Sequence, residues 1–237
     1  QEGQNRERIM DCLQKIQSSS NYLLGLINDI LDMSKIESGK MKLEPLNFDM
    51  NETLDTIQEL IIPQASAKHI SFVRDVALTH NWFLADPMRI SQVLINLLGN
   101  AVKFTPADGR IILTVREQRV DKDEAKVYFA VSDTGVGIAK EEQERVFRSF
   151  EQAGTAPSKQ QGTGLGLSIS SRLVQMMGSS IHLDSAPGEG STFSFAISLP
   201  LGFPVNSGTQ EKDISFAGRR ILVVEDNELN AEIAQCL

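Results

Sequence analysis

What this sequence has little of narrows its class first. It contains only two cysteines, Cys12 and Cys236, near opposite ends and without metal-ligand spacing around either. That pattern argues against a disulfide framework and for a reducing compartment. Lysine and arginine number 23 against 31 acidic residues, a net charge of −8 with no basic stripe, which argues against a nucleic-acid partner. No apolar run reaches membrane-spanning length, and no signal peptide opens the chain. The sequence begins without an initiator methionine and stops inside what reads as a helix, so the expectation is a piece of a longer protein. Any membrane attachment would then belong to segments outside it. What remains is ordinary for a globular protein, 41% hydrophobic and 23% charged, and 237 residues give room for more than one folded unit.

The most informative stretch runs from Asp86 to Thr105. Asp86 is a helix-capping residue, and Pro87 suits the first helical position, where a missing N–H costs nothing. The pattern predicts a helix to about Val102, with Gly99 as a tolerable interruption. At 100° per residue, Arg89, Gln92, Asn96, Gly99, Asn100 and Lys103 share one narrow stripe, opposite Ile90, Leu94, Leu97, Leu98 and Ala101. So apolar a helix should be mostly buried, and buried amides need partners. Either a network to other helices supplies them, or a ligand does. The Asn100 oxygen is a hard ligand suited to Mg²⁺ and Lys103 a point charge suited to phosphate, so a metal-bound polyphosphate fits the second possibility.

Upstream, about residues 7–38 read as one long helix. Leu13, Ile16, Ser20, Leu23, Ile27, Ile30 and Ser34 follow a 3-4 spacing widened by Leu24 and Leu31, and Gly39 supplies the stop. So long a seam predicts pairing in a bundle, or else an amphipathic helix docked on its own domain. Strand, helix and strand are expected over about 43–84, the helix capped by Asn51. Downstream, GRIILTVREQRV and AKVYFAVSDTG alternate as a hairpin around DKDE.

The hairpin delivers DTGVGI, Asp133 to Ile138. Gly135 and Gly137 would let backbone approach a planar ligand, and an acid at a strand end can accept from an exocyclic amine; a plain tight turn uses the same residues. KEEQERVFRSFEQ predicts a short helix with Val146, Phe147 and Phe150 on one side, followed by a small polar segment containing Lys159 that reads as a mobile loop. Gly162, Gly164 and Gly166 of GTGLGL then lead into another helix, whose free N-terminal N–H groups make an anion site. Two strands around APGEG follow, then an aperiodic linker. ILVVEDNELN finally gives a strand with Glu225 and Asp226 at its end, suited to Mg²⁺ or simply solvated.

In that order, these motifs resemble those of hybrid sensor histidine kinases over roughly residues 10–200. Asn96, Asn100 and Lys103 with the flanking Phe104 and Thr105 resemble the N box; DTGVGI the first glycine box; VFRSF the F box; GTGLGL the second glycine box; and GEGSTF the closing element. NYLLGLINDILDMSKIESGKMKLE resembles the second helix of the dimerisation and phosphotransfer domain, and ILVVEDNELN the opening of a receiver domain. The resemblance implies an α/β fold, a two-layer α/β sandwich of the Bergerat type preceded by a bundle-forming helix. Residues 1–42 would be the helix, 43–202 the ATP-binding catalytic domain, 203–218 a linker and 219–237 the start of a receiver.

The resemblance further implies that ATP and Mg²⁺ bind through Asn96, Asn100, Lys103, Phe104, Asp133, Gly135, Gly137, Ile138, Phe150, Gly162, Thr163, Gly164, Leu165, Gly166, Leu167 and Thr192. Asn100 would hold the metal, Asp133 would read the adenine amine, and Asn96, Asn100 and Lys103 would be the catalytic set. The parent would be a homodimer through its helical bundle, with a receiver in cis and a downstream phosphotransfer protein or response regulator as partner. It would have a cytoplasmic catalytic part and a possible inner-membrane anchor. One departure is large: His69, His80 and His182 all lack the phosphoacceptor neighbourhood, so the histidine would come from a helix missing here. ATP-hydrolysing relatives of the same fold carry a glutamate base where this chain has Asn96, and an amide cannot act as that base. Transfer is therefore expected over hydrolysis, with a Mg·ATP hydrolase and a non-catalytic scaffold module as alternatives.

Overall fold

The computed structural model describes residues 2–149 and 164–204. The elements of this part, in order, are helix α1 (Glu2–Glu37), strand β1 (Leu46–Asp49), helix α2 (Met50–Ala67), strands β2 (Ser71–Ala77) and β3 (Trp82–Ala85), and helix α3 (Pro87–Phe104). Strands β4 (Arg110–Asp121) and β5 (Glu124–Asp133) follow, then a 3-10 turn at Arg145–Phe147, helix α4 (Gly166–Met176), and strands β6 (His182–Ala186) and β7 (Gly190–Pro200). The expected VFRSF helix is thus a single 3-10 turn among the described residues; Phe150 lies outside them. Val146 is buried there, and the Phe147 ring meets Phe193 edge-on at 6.2 Å.

Five strands form one mixed sheet in the order β2-β4-β5-β7-β6, with β2 parallel to β4 and the other pairs antiparallel. The crossover from β2 to β4 carries β3 and α3, the kind of connection a parallel pair requires. The apolar alternation of the hairpin strands sends Ile111, Leu113 and Val115 from β4, and Val127, Phe129 and Val131 from β5, into the core. Phe129 stacks on its cross-strand partner Phe195 with ring centroids 5.0 Å apart. Buried residues of α2, α3 and α4 join the same core, which makes the expected helix-and-sheet sandwich. The expected strand at 43–50 is a four-residue β1 that pairs with β3 in a separate small sheet.

Helix α3 begins as the sequence predicts. Asp86 caps it by accepting from Arg89 N at 3.1 Å, and Pro87 occupies the first turn. Its apolar side, from Ile90 to Val102, is buried, each large side chain contributing roughly 1.5–3 kcal/mol. The α2 cap differs from expectation. Asp49, not Asn51, closes that end, because its carboxylate accepts from Asn51 N at 2.7 Å while Met50 already starts the helix.

Helix α1 docks by one side of its last turns. Asp32 reaches α3, while Met33 and Ile36 pack against the core. Gly39 ends it with φ 65°. The long seam of Leu13, Ile16, Leu23, Leu24, Ile27, Ile30 and Leu31 is exposed in the single chain. No helix among the described residues is long and apolar enough to cross a membrane. The three histidines occupy an ion-paired position and two exposed ones. His80 donates to buried Glu117, whose burial raises its pKa less than the His80 and Thr79 bonds lower it. His69 occupies an exposed turn with φ 56°, and His182 an exposed strand position.

Candidate functional site

The polar stripe of α3 is divided among different partners. At its N-terminal end, Arg89 Nη1 donates to Asp32 Oδ2 of α1 at 3.1 Å and to Gln92 Oε1 at 2.7 Å. Gln92 Nε2 closes the ring by donating to the same Asp32 oxygen at 2.8 Å. This half is therefore the inter-helix network that the stripe alone allowed. One turn on, Asn96 Nδ2 donates to Ser170 Oγ of α4 at 2.9 Å. A turn further, the half-buried Asn100 carboxamide has no hydrogen-bond partner among the described residues. Lys103 lies 4.6 Å from the centroid of the Phe104 ring, and burial pulls its ammonium below the usual lysine pKa.

Other elements close on this helix from both ends. Near Asn96 stands the N-terminus of α4. A Cβ on Gly166 would lie 2.2 Å from Asn96 Oδ1, so no other residue fits there without moving the asparagine. Gly164, with φ 70°, and the buried Leu165 lead into this turn, and Leu167 is its half-buried second residue. The first N–H groups of α4 lack intrahelical acceptors, as at any helix start. At the other end, Phe104 O sits 2.7 Å from where a Gly135 Cβ would be, which places the 133–138 loop against the last turn of α3.

That loop is pinned from beneath. Asp133 Oδ1 accepts from Gly135 N at 2.8 Å. Burial raises the Asp133 pKa, and the Gly135 and Ser191 N–H groups partly offset that rise. Gly137 has φ 69°, and a Cβ there would stand 1.9 Å from Ala186 O, so the turn requires glycine twice over. Ile138 N donates to Ser185 Oγ at 2.8 Å, and Gly188 N to Val136 O at 2.8 Å. Gln143 Nε2 ties Ile138 O to Ser185 O at 3.1 and 2.8 Å. Thr192 donates to Ser132 at 2.9 Å, beside Asp133 on the facing strand.

The α3 face, the 133–138 loop, Thr192 and the start of α4 thus form one neighbourhood. Phe150, Lys159, Gly162 and Thr163, together with Glu225 and Asp226, lie outside the described residues. Sequence reasoning missed Ser170, Ser185, Gln143 and Asp32. Each is a common polar residue whose partner is distant in sequence, so no local signal marks it. Lys68 is another: its Nζ donates to Val102 O at 2.8 Å and Lys103 O at 3.0 Å, satisfying carbonyls that the end of α3 leaves free.

Chemically, a carboxamide oxygen, a lysine and helix-start N–H groups without intrahelical acceptors suit a polyanion with a hard cation. The family model of histidine kinase-, DNA gyrase B- and HSP90-like ATPases matches residues 85–202. The sensor histidine kinase GacS of Pseudomonas protegens is 37% identical over 236 residues, covering 96% of this chain and 25% of that protein. This chain therefore spans about a quarter of the length of such curated relatives. Full-length ShkA in complex with AMPPNP superposes with a TM-score of 0.68 at 32% identity, over 81% of this chain and 39% of ShkA. The catalytic domain of the histidine kinase ThkA gives a TM-score of 0.56 at 30% identity, over 67% of this chain and 97% of that domain.

Proposed function

This chain belongs to the sensor histidine kinases within the histidine kinase-, DNA gyrase B- and HSP90-like ATPase family, and from that premise we propose that it binds Mg·ATP and transfers the γ-phosphate to a histidine supplied by a helix absent from this sequence. The observation that carries the proposal is Asn100, a carboxamide on a buried helix with no hydrogen-bond partner among the described residues, one turn from Lys103 and one turn from the Asn96–Gly166 contact. Asn100 Oδ1 would hold Mg²⁺, a hard ion that offsets charge on the phosphates. Lys103 would pair with phosphate oxygens, which favour the charged form that burial disfavours.

Asp133 would accept from the adenine amine, with Thr192 acting beside it. The start of α4, from Gly164 to Leu167, would receive phosphate oxygens on the N–H groups of its first turn. Phe104, Gly135, Gly137 and Ile138 would shape the base side, and Phe150, Gly162 and Thr163 complete the set. Residues 1–42 would pair two parent chains through the exposed α1 seam, residues 43–202 form the catalytic domain, and 203–218 connect it to a receiver beginning at 219. A receiver in cis and a downstream phosphotransfer protein or response regulator would then take the phosphate.

Transfer is favoured over hydrolysis by Asn96. Its amide donates to Ser170 and offers no basic group to activate water. The test is to fuse a phosphoacceptor helix to the N-terminus and add γ-labelled ATP. Acid-labile label on the polypeptide is the expected result. Free phosphate without labelled protein would indicate a hydrolase, and bound nucleotide with neither product a non-catalytic module.

A further inference from the structure

We propose that Ser170 is a positioning residue for the nucleotide site, holding the Asn96 carboxamide in one orientation against the start of α4. The inference rests on the nucleotide-binding reading above and adds to it a residue one turn beyond Gly166 on α4. Ser170 is 1% exposed and sits among the buried Ile169, Leu173 and Val174 of α4. Packing alone would be served there by alanine or valine, and a hydroxyl without a partner would be costly. Its partner among the described residues is Asn96, whose Nδ2 donates to Ser170 Oγ at 2.9 Å.

Gly166 lies four residues earlier, on the same face of α4. It leaves the space that Asn96 Oδ1 fills, since a Cβ there would come within 2.2 Å of that oxygen. Glycine and serine at this spacing therefore make a slot: Gly166 admits the carboxamide and Ser170 latches it. With one amide N–H engaged, the oxygen is set toward the first turn of α4, whose N–H groups lack intrahelical acceptors. A side chain fixed beforehand need not be ordered when ligand arrives, and that saving appears as affinity.

The test is calorimetric binding of Mg·AMPPNP to the whole chain and to Ser170→Val, Ser170→Thr, Asn96→Ala and the Asn96→Ala/Ser170→Val pair, with thermal unfolding of each. Ser170→Val should weaken binding roughly three- to tenfold. Ser170→Thr, which keeps the hydroxyl, should restore most of the loss. In the Asn96→Ala background, Ser170→Val should add nothing. If Ser170→Val does not fold, Ser170→Ala takes its place in the same cycle. Wild-type affinity in the valine variant, or an equal loss in both backgrounds, would overturn the proposal by locating the effect in α4 packing. Failure of folded wild-type chain to bind would instead overturn the nucleotide reading itself.

Discussion

In the first half of α3, Arg89 and Gln92 converge on one oxygen of Asp32; in the second, Asn100 meets no polar partner among the described residues and Lys103 lies over the neighbouring Phe104 ring. Both halves belong to one stripe on one helix with one apolar back. The difference is in what covers them. The end of α1 covers the first half, α4 reaches the middle at Asn96, and in the last two turns no hydrogen bond among the described residues engages the Asn100 side chain. A polar stripe on a buried helix thus has two explanations: the first holds in one half, and the second is the one proposed for the other. Structural partners take the polar groups of one half, and on the proposed reading the other half keeps its groups for a ligand.

The sharpest way to break this contrast is at its open end. Asn100→Ala should reduce Mg·AMPPNP affinity on the order of 100-fold, the loss of one strong polar contact of about 2–3 kcal/mol. Its melting temperature should not fall, because the side chain makes no hydrogen bond among the described residues; calorimetry and thermal unfolding check the two halves of the statement. At the covered end the pattern should invert. Arg89→Ala leaves the Asp32 carboxylate, 16% exposed, with one donor fewer, and should cost about 1–3 kcal/mol in urea unfolding while nucleotide affinity stays within twofold. Restoration of stability by the swapped pair Asp32→Arg with Arg89→Asp would attribute the loss to the ion pair itself.

A pH series sharpens the comparison from the loop that flanks the open end. Burial raises the Asp133 pKa in the folded protein, so folding favours its protonated form. Its ionised form therefore weighs against stability at neutral pH, and that weight lifts as pH falls through the raised value. Binding should move the opposite way: in the proposed role Asp133 accepts from adenine as a carboxylate, so affinity should begin to fall at a pH above the usual aspartate pKa. Asp133→Asn should lose affinity and flatten that acid limb, measured by titration at successive pH values. The smallest expected effect is at Lys68. Lys68→Met leaves two terminal carbonyls of α3 to water, and should cost about 0.3–1 kcal/mol with a slight loss of nucleotide affinity.

Much of this was legible locally. The Asp86–Pro87 start, the buried face of α3 and the alternation of β4 and β5 are encoded in neighbouring residues, and each element formed where its pattern placed it. The two glycine boxes were legible for a related reason, since positive φ at Gly137 and contact at Gly166 leave glycine as the fitting residue. Partners were not legible. Asp32 is 60 residues from Gln92, and Ser170 is 74 from Asn96, so the division of the stripe exists only after the helices pack. The α2 cap shows the same limit at short range: Asp49 and Asn51 are both good caps, and the strand ending at Asp49 decides between them.

The most direct test of the divided stripe is a crossed experiment on one instrument, with Mg·AMPPNP affinity and unfolding free energy measured for wild type, Asn100→Ala and Arg89→Ala. The expected result is a crossover: Asn100→Ala stable but unable to hold nucleotide tightly, Arg89→Ala weakened in stability but binding as wild type does. Equal loss of affinity in both variants, or a folded wild type that binds no nucleotide, would contradict it.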